Sequence, residues 1–250
     1  MLENRQGRYI SIVILIVMVA SLSILVQALD PEGATVTFVS NSTKSSVAEA
    51  QNRTNDKGTI SILRLSALSQ TAKWKAYVGN VSSSFTLDDS DGYTIYQWAA
   101  NEGYSYSGQV YATRDTSTVS WADIECAAAT NKTVEDIALD LNSDNSDSVN
   151  RTFSVQVHSN FTVAGNLITE NCSFATATWI NDTVNTLSVT SVKYQEVLLW
   201  EGSHLVYATF VENDYSAYRN DSTYDFQMIV PVNGTVSSPD IAYYFYLEMS

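Results

Sequence analysis

The chain has 250 residues, 27 acidic against 13 basic side chains, a formal net charge of −14 and an isoelectric point near 4.3. Lysine and arginine are too sparse to build the basic patch that phosphate contacts need, which excludes nucleic acid as a partner class. The acids scatter instead of clustering, so the charge reads as solvation, in a salty medium or beside divalent cations, and not as an acid-dependent activity.

From the N-terminus, Arg5 and Arg8 precede an apolar run over residues 10–28 (ISIVILIVMVASLSILVQA) without charge, proline or glycine. At about 1.5 Å per helical residue this run approaches the ~30 Å thickness of a hydrocarbon core. Basic residues before it, against Asp30 and Glu32 after it, predict a cytoplasmic N-terminus and an exported remainder. Residues 1–28 therefore read as a basic leader and signal anchor, since the apolar core exceeds the usual signal-peptide length. Two other processings stay open. One is signal-peptide cleavage after Val26-Gln27-Ala28. The other is cleavage after Gly7, where Arg5-Gln6-Gly7 resembles the leaders of archaeal pilins and archaellins, although Arg8 and the lack of an early acidic residue depart from that pattern.

Residues 29–58 read as a short strand over 35–39 (TVTFV) and a polar stalk over 40–58, which has too little apolar surface to fold. Residues 59–250 form the ectodomain, as one unit or as two lobes at 59–128 and 150–250. Alternation predicts strands at 59–65, 73–78, 85–87, 94–98, 110–113 and 119–124. Asp88, Asp89, Asp91 and Gly92 supply the hairpin turn between the third and fourth. Residues 133–141 predict the single helix, capped by Thr133, with Val134, Ile137, Ala138 and Leu141 as its apolar stripe and an acidic opposite face. A second strand group follows at 153–157, 161–168 and 174–180, then a hairpin of 197–200 with 205–211 turning at EGSH. Strands at 226–230, ending at Pro231, and at 243–247 complete it. The fold class expected is all-β: a β-sandwich or jelly-roll-like ectodomain with one short helix, behind an N-terminal transmembrane helix or signal segment.

Asn-X-Ser/Thr sequons begin at Asn41, Asn52, Asn80, Asn131, Asn150, Asn160, Asn171, Asn181, Asn220 and Asn233. That density behind an export signal points to a glycoprotein. Cys126 and Cys172 are the only cysteines; in an oxidising compartment they predict one disulfide, with two buried free thiols as the alternative.

Candidate chemistry is thin. His158 falls on the polar side of the 153–157 strand and His204 in a tight turn, where both read as surface histidines. No nucleophile elbow, phosphate loop, dinucleotide fingerprint or zinc spacing occurs, so neither catalysis nor a cofactor is expected. Asp140, Asn142 and Asp144 open like a calcium loop, but Asn145 stands where glycine is needed and Arg151 where the bidentate carboxylate belongs. No metal is expected there or at the Asp88, Asp89 and Asp91 turn. Tyr93, Tyr104, Tyr106, Tyr215 and Tyr218 lie in or near loops and are the candidate binding platforms.

The stretches WKAYVGNV, FTLDD, TIYQW, GQVYAT, YQEVLLW and YDFQMIVP resemble surface proteins of small-genome archaea that carry one N-terminal hydrophobic anchor and a β-rich ectodomain. The resemblance implies cell-surface placement and a β-rich fold, and it implies no activity. The chain thus reads as a membrane-anchored, glycosylated surface protein with a structural or adhesive role. Its expected partners are the membrane, through the N-terminal helix, and surface proteins, glycans or further copies of itself. The alternatives are a pilin-like or donor-strand subunit of a surface filament and a glycan-binding module.

Overall fold

The computed structural model describes residues 30–41, 71–82, 84–91, 93–99, 107–114, 119–232 and 241–249. The apolar run at 10–28, the strand expected at 59–65, Tyr104, Tyr106, Asn52 and Asn233 lie outside them. Among the described residues no helix is long and apolar enough to cross a membrane.

The chain first forms β1 (Glu32–Gly33), β2 (Trp74–Gly79), β3 (Ser84–Asp88), β4 (Thr94–Ala99), β5 (Gly108–Thr113) and β6 (Glu125–Cys126). Helices α1 (Ala129–Ala138) and α2 (Val149–Thr152) follow. Then come β7 (Phe161–Val163), β8 (Asn166–Ile168), β9 (Ala175–Ala177), β10 (Gln195–Trp200), β11 (Leu205–Phe210), β12 (Tyr215–Ser216), β13 (Thr223–Tyr224), β14 (Phe226–Pro231) and β15 (Tyr244–Met249). The fold is mostly β and is built on a seven-stranded antiparallel sheet in the order β1-β15-β5-β11-β10-β6, with β9 also on β10. Strands from both halves of the sequence interleave: β5 lies between β15 and β11, and β2 pairs with β14. β5 meets β15 so closely that a Cβ on Gly108 would stand 2.1 Å from the Glu248 carbonyl oxygen.

The expected hairpin forms as β10 and β11, with Gly202 at φ 101° in its turn. Residues 195–199 and 205–209 are buried throughout, because both faces of the sheet are covered. On one face Leu198, Leu205 and Tyr207 pack with Met228 and Val230 of β14 and with Leu139, Val149 and Phe153 from the helical segment. On the other, Tyr111, Val197, Leu199 and Val206 meet Trp121, Phe161, Val163 and Ile168.

β14 uses one edge for β2. Its other edge lies over the large sheet, where no strand among the described residues pairs with it, and side chains supply partners. Glu196 Oε2 accepts from the Ile229 N–H at 2.9 Å, and the Thr209 hydroxyl donates to the Gln227 carbonyl at 2.9 Å. Glu196 and Thr209 are directly opposite each other on β10 and β11, so one cross-strand pair anchors the second layer. Burial pushes the Glu196 carboxyl well above its usual range. Its Oε1, like the Tyr207 hydroxyl, has no hydrogen-bond partner among the described residues.

The helix departs from the expected one in span and in facing. It starts at Ala129, with Ala128 in the cap position and its N–H donating to Asn131 Oδ1 at 2.6 Å, so Thr133 is not the cap. Val134 and Ile137 are 48% and 72% exposed, while Lys132, Glu135 and Asp136 are buried. The polar face turns inward because α2 and Arg114 present charges and open backbone groups there. Asp136 accepts from the Val149 and Asn150 N–H groups at the start of α2 (2.7 and 3.2 Å). Lys132 Nζ donates to the Asn150 and Phe153 carbonyls at its end (3.3 and 2.8 Å) and lies 3.5 Å from the Phe174 ring centroid. A carboxylate at the N-terminus and an ammonium at the C-terminus complement the dipole of α2. Glu135 meets Arg114 through two bonds of 2.9 and 3.0 Å. The other half of the expected stripe agrees with the structure in part: Leu141 is buried, whereas Ala138 is exposed.

Other elements differ from expectation for local reasons. Residues 35–39 form no strand: Ala34 N–H still reaches the Phe245 carbonyl, but β15 begins at Tyr244 and the partner runs out. Residues 119–124 are interrupted by a 3₁₀ turn at Trp121–Asp123, where Ser120 Oγ donates to Asp123 Oδ2. The 153–157 strand is reduced to a single bridge of Val155 to Ala175, just after α2, whose N-cap Ser148 accepts from the Arg151 N–H. Residues 161–168 split into β7 and β8, because Ala164 and Gly165 (φ 46° and 84°) make a two-residue turn.

Two predictions follow from the buried polar groups. Glu196→Ala strands the Ile229 N–H and should cost about 1–3 kcal/mol, read as a lower urea midpoint. Since the folded pKa of Glu196 is raised, the unfolded carboxyl ionises first as pH rises, and stability falls from about pH 4.3 upward. Glu196→Gln keeps an acceptor and cannot ionise, so its midpoint should gain on wild type as pH rises above about 4.3. In α1, Asp136→Ala should cost about 2 kcal/mol by leaving the buried Val149 N–H and the part-buried Asn150 N–H without their acceptor, while Ile137→Gln should stay within about 0.5 kcal/mol. Equal losses from the two helix substitutions would contradict the inward polar face.

Candidate functional site

Cys126 and Cys172 form a disulfide with Cα atoms 5.7 Å apart. It joins two segments that share the outer edge of β10: Cys126 lies opposite Leu199, and the chain just after Cys172 leads into β9 opposite residues 195–197. Ser173 reinforces the join, accepting from the Ala127 N–H at 3.1 Å and donating to the Leu198 carbonyl. His158, expected at the surface, is fully buried beside this staple, since the alternation that placed it outside belongs to a strand that does not form. Its Nδ1 lies 2.9 Å from the Ser159 carbonyl, and its Nε2 accepts from the Ser173 N–H at 3.3 Å and lies 3.9 Å from Cys172 Sγ. These contacts assign the proton to Nδ1, and burial lowers the imidazole pKa below 6.5 against a smaller opposing effect of the Ser159 bond. His204 sits in the β10–β11 turn as expected, with Glu201 Oε1 accepting from its N–H at 2.6 Å.

The aspartates close turns. Asp89 Oδ1 accepts from the Asp91 and Tyr93 N–H groups at 2.9 Å each, and Asn142 Oδ1 accepts from the Asp144 N–H at 3.0 Å. Asp140 takes a left-handed conformation at the end of the helical segment. Of the eight described sequon asparagines, Asn41, Asn80, Asn160, Asn171, Asn181 and Asn220 are exposed, while Asn131 on α1 and Asn150 on α2 are half-buried.

Tyr93, Tyr215 and Tyr218 are exposed by 72%, 39% and 39%. Tyr93 is remote in sequence, on the β3–β4 hairpin, whereas Tyr215 and Tyr218 flank a surface built by three chain segments. After β9, Ile180 bridges Thr183 across a two-residue loop, with Asn181 and Asp182 at φ 49° and 59°. Asparagine and aspartate tolerate these left-handed positions, which a two-residue turn of this kind requires. The loop lies on the chain beyond β12: Asn181 and Asp182 N–H donate to the Ala217 and Tyr218 carbonyls, both at 2.8 Å. Buried Gln227 secures the arrangement, its Oε1 accepting from the Tyr218 N–H (2.7 Å) and its Nε2 donating to Thr178 Oγ1 and the Trp179 carbonyl (3.1 Å each). Tyr194 supports Tyr215 from beneath, with rings 6.1 Å apart, edge to face, and its hydroxyl near the Tyr215 and Tyr224 carbonyls. Burial raises the Tyr194 hydroxyl above its usual range, so it stays a donor.

Trp179, 52% exposed, and Val184, 67% exposed, flank the two-residue loop in the chain, and the exposed Arg219–Asp221 ion pair follows Tyr218. Sequence reasoning passed over Trp179, because it read residues 174–180 as continuous strand. The signal was present as Trp179-Ile180-Asn181-Asp182-Thr183, an aromatic residue two places before a sequon. Exposed rings on rigid turns, with polar groups at the edge, suit contact with the apolar face of a sugar or a flat protein surface.

Opening the disulfide tests its share of this scaffold. Paired Cys126→Ser and Cys172→Ser substitutions should lower stability by about 4 kcal/mol on the chain-entropy estimate, and thiol reductant should lower the urea midpoint of wild type but not of the double variant. Comparison of the chain with protein-family models, with curated proteins and with solved structures gives no match, so the geometry of its own residues carries the functional argument.

Proposed function

We propose that this is a membrane-anchored, glycosylated cell-surface protein with a structural or adhesive role and no catalysis, its N-terminus cytoplasmic and its ectodomain extracellular. The observation that carries it is where the sequons fall. Six of the eight described sequon asparagines are exposed, and Asn171, Asn181 and Asn220 occupy turns, where an attached sugar has room. The Cys126–Cys172 bridge suits an oxidising compartment. The large sheet with the β2–β14 ribbon over one face is taken as a β-sandwich, the architecture common in surface domains. Pairing of β1 with β15 of its own chain favours an anchored monomer over a filament joined by strand exchange. For adhesion, the β3–β4 hairpin pairs with no other strand among the described residues and exposes Leu87, Tyr93, Ile95 and Tyr96.

Native membranes test this directly. After an alkaline carbonate wash the protein should stay with the membrane, peptide mapping should recover residues 10–28, and glycopeptides should cover the exposed sequons. Release into the wash with an N-terminus at Leu29 and every sequon unmodified would overturn both the anchor and the glycans.

A further inference from the structure

We infer that the ectodomain stands directly on the membrane, with the β1–β15 corner of the large sheet against the lipid headgroups, and that the polar stretch over 40–58 adds nothing to its height. The inference rests on the N-terminal anchor proposed above and names the end of the fold that meets the lipid.

The order of the chain carries it. A stalk has to lie between the anchor and the folded body, but β1 joins the large sheet before residue 40 is reached. Glu32 stands opposite Leu247 and Gly33 opposite Tyr246, and the Ala34 N–H donates to the Phe245 carbonyl at 2.8 Å. Pro31, just ahead of β1, is buried. Proline suits the entry to an edge strand, where it brings no N–H that would need a partner. A two-residue strand is weak by itself. Here a buried ring before it and a further backbone bond after it hold it to β15, and belonging to the same chain keeps its effective concentration high.

Length then sets the height. Residues 10–28 are nineteen in number, about 28 Å as a helix against a hydrocarbon core of about 30 Å. The run has no residues to spare, so Ala28 falls at the boundary of the core. From Ala28 to Pro31 is a step of three residues, with a reach of at most about 11 Å. The headgroup layer takes up about 5–7 Å of that. Pro31, and the corner of the fold that buries it, therefore sits within about 6 Å of the headgroups. β15 runs antiparallel to β1, so its last residues, Glu248 and Met249, come down to the same level. The β10–β11 turn lies at the other end, beyond the row in which Val206, Thr113 and Tyr244 face one another. Asp30 and Glu32 are exposed at the membrane corner, so zwitterionic headgroups suit it better than anionic ones.

The test places the full chain in phosphatidylcholine nanodiscs that contain acceptor-labelled lipid. It reads energy transfer from a donor at the C-terminus, or from one at Ser203 in the β10–β11 turn, attached through a clickable amino acid. Transfer from the C-terminus should exceed transfer from Ser203. Inserting about fifteen Gly/Ser residues within 40–58 should leave both values unchanged. The same insertion after Ala28, which adds up to about 50 Å of tether, should lower the C-terminal value and erase the difference. Equal transfer from the two donors in the unmodified chain, or a loss on insertion within 40–58, would overturn the placement. A chain that does not co-elute with the nanodiscs would instead overturn the anchor on which it rests.

Discussion

A strand laid over a sheet leaves one row of backbone groups with no ladder to join, and in this protein a glutamate and a threonine answer for them. Glu196 and Thr209 stand opposite each other on two deeply buried strands and reach the Ile229 N–H and the Gln227 carbonyl of β14. An acid at that place is costly to bury in ionised form, so burial pushes its carboxyl well above the usual range while Oε2 accepts from the Ile229 N–H. The position of the β2–β14 ribbon over the large sheet depends on this pair. The apolar contacts of Leu198, Tyr207, Met228 and Val230 fill the space that it defines. Hydrophobic contact is permissive about register, whereas two backbone bonds of fixed direction are not.

The same division of labour governs the helical segment. α2 is only four residues long and has no stability of its own. It persists because Asp136 satisfies its first donors and Lys132 its last carbonyls, both from one face of α1. That explains why Val134 and Ile137 face solvent while three charged residues face inward. The apolar cost of exposing two side chains is offset by closing a helix at both ends and by the paired bonds of Glu135 to Arg114.

The elements legible in the sequence were those whose turns carry their own chemistry. The β10–β11 hairpin was marked by Gly202, the end of β14 by Pro231, and the disulfide by two cysteines in an otherwise cysteine-free chain. What was hidden depended on partners distant in sequence. Hydropathy counts the apolar stripe of a helix but not the carbonyls and N–H groups that Lys132 and Asp136 answer for. Similarly, Ser148 as a cap and Ala164-Gly165 as a turn are local signals that alternation in the flanking residues masked. At the candidate surface, Tyr215 and Tyr218 could be picked out as loop aromatics. Trp179 and the Gln227 amide that holds it beside Tyr218 could not, because a single buried glutamine has no pattern until the three segments meet.

The two borders of the large sheet share one property. On one side β10 is bordered in tandem by β6 and β9, two and three residues long and locked to their place around Cys126 and Cys172. On the other side β15 carries β1, again two residues long. A neighbouring chain arriving at either border finds broken, partly occupied rows of donors and acceptors instead of a long open template. Molecules crowded together at high concentration thus meet side by side through their turns and hairpins while their sheets stay separate, which keeps them from fusing into one continuous β-structure.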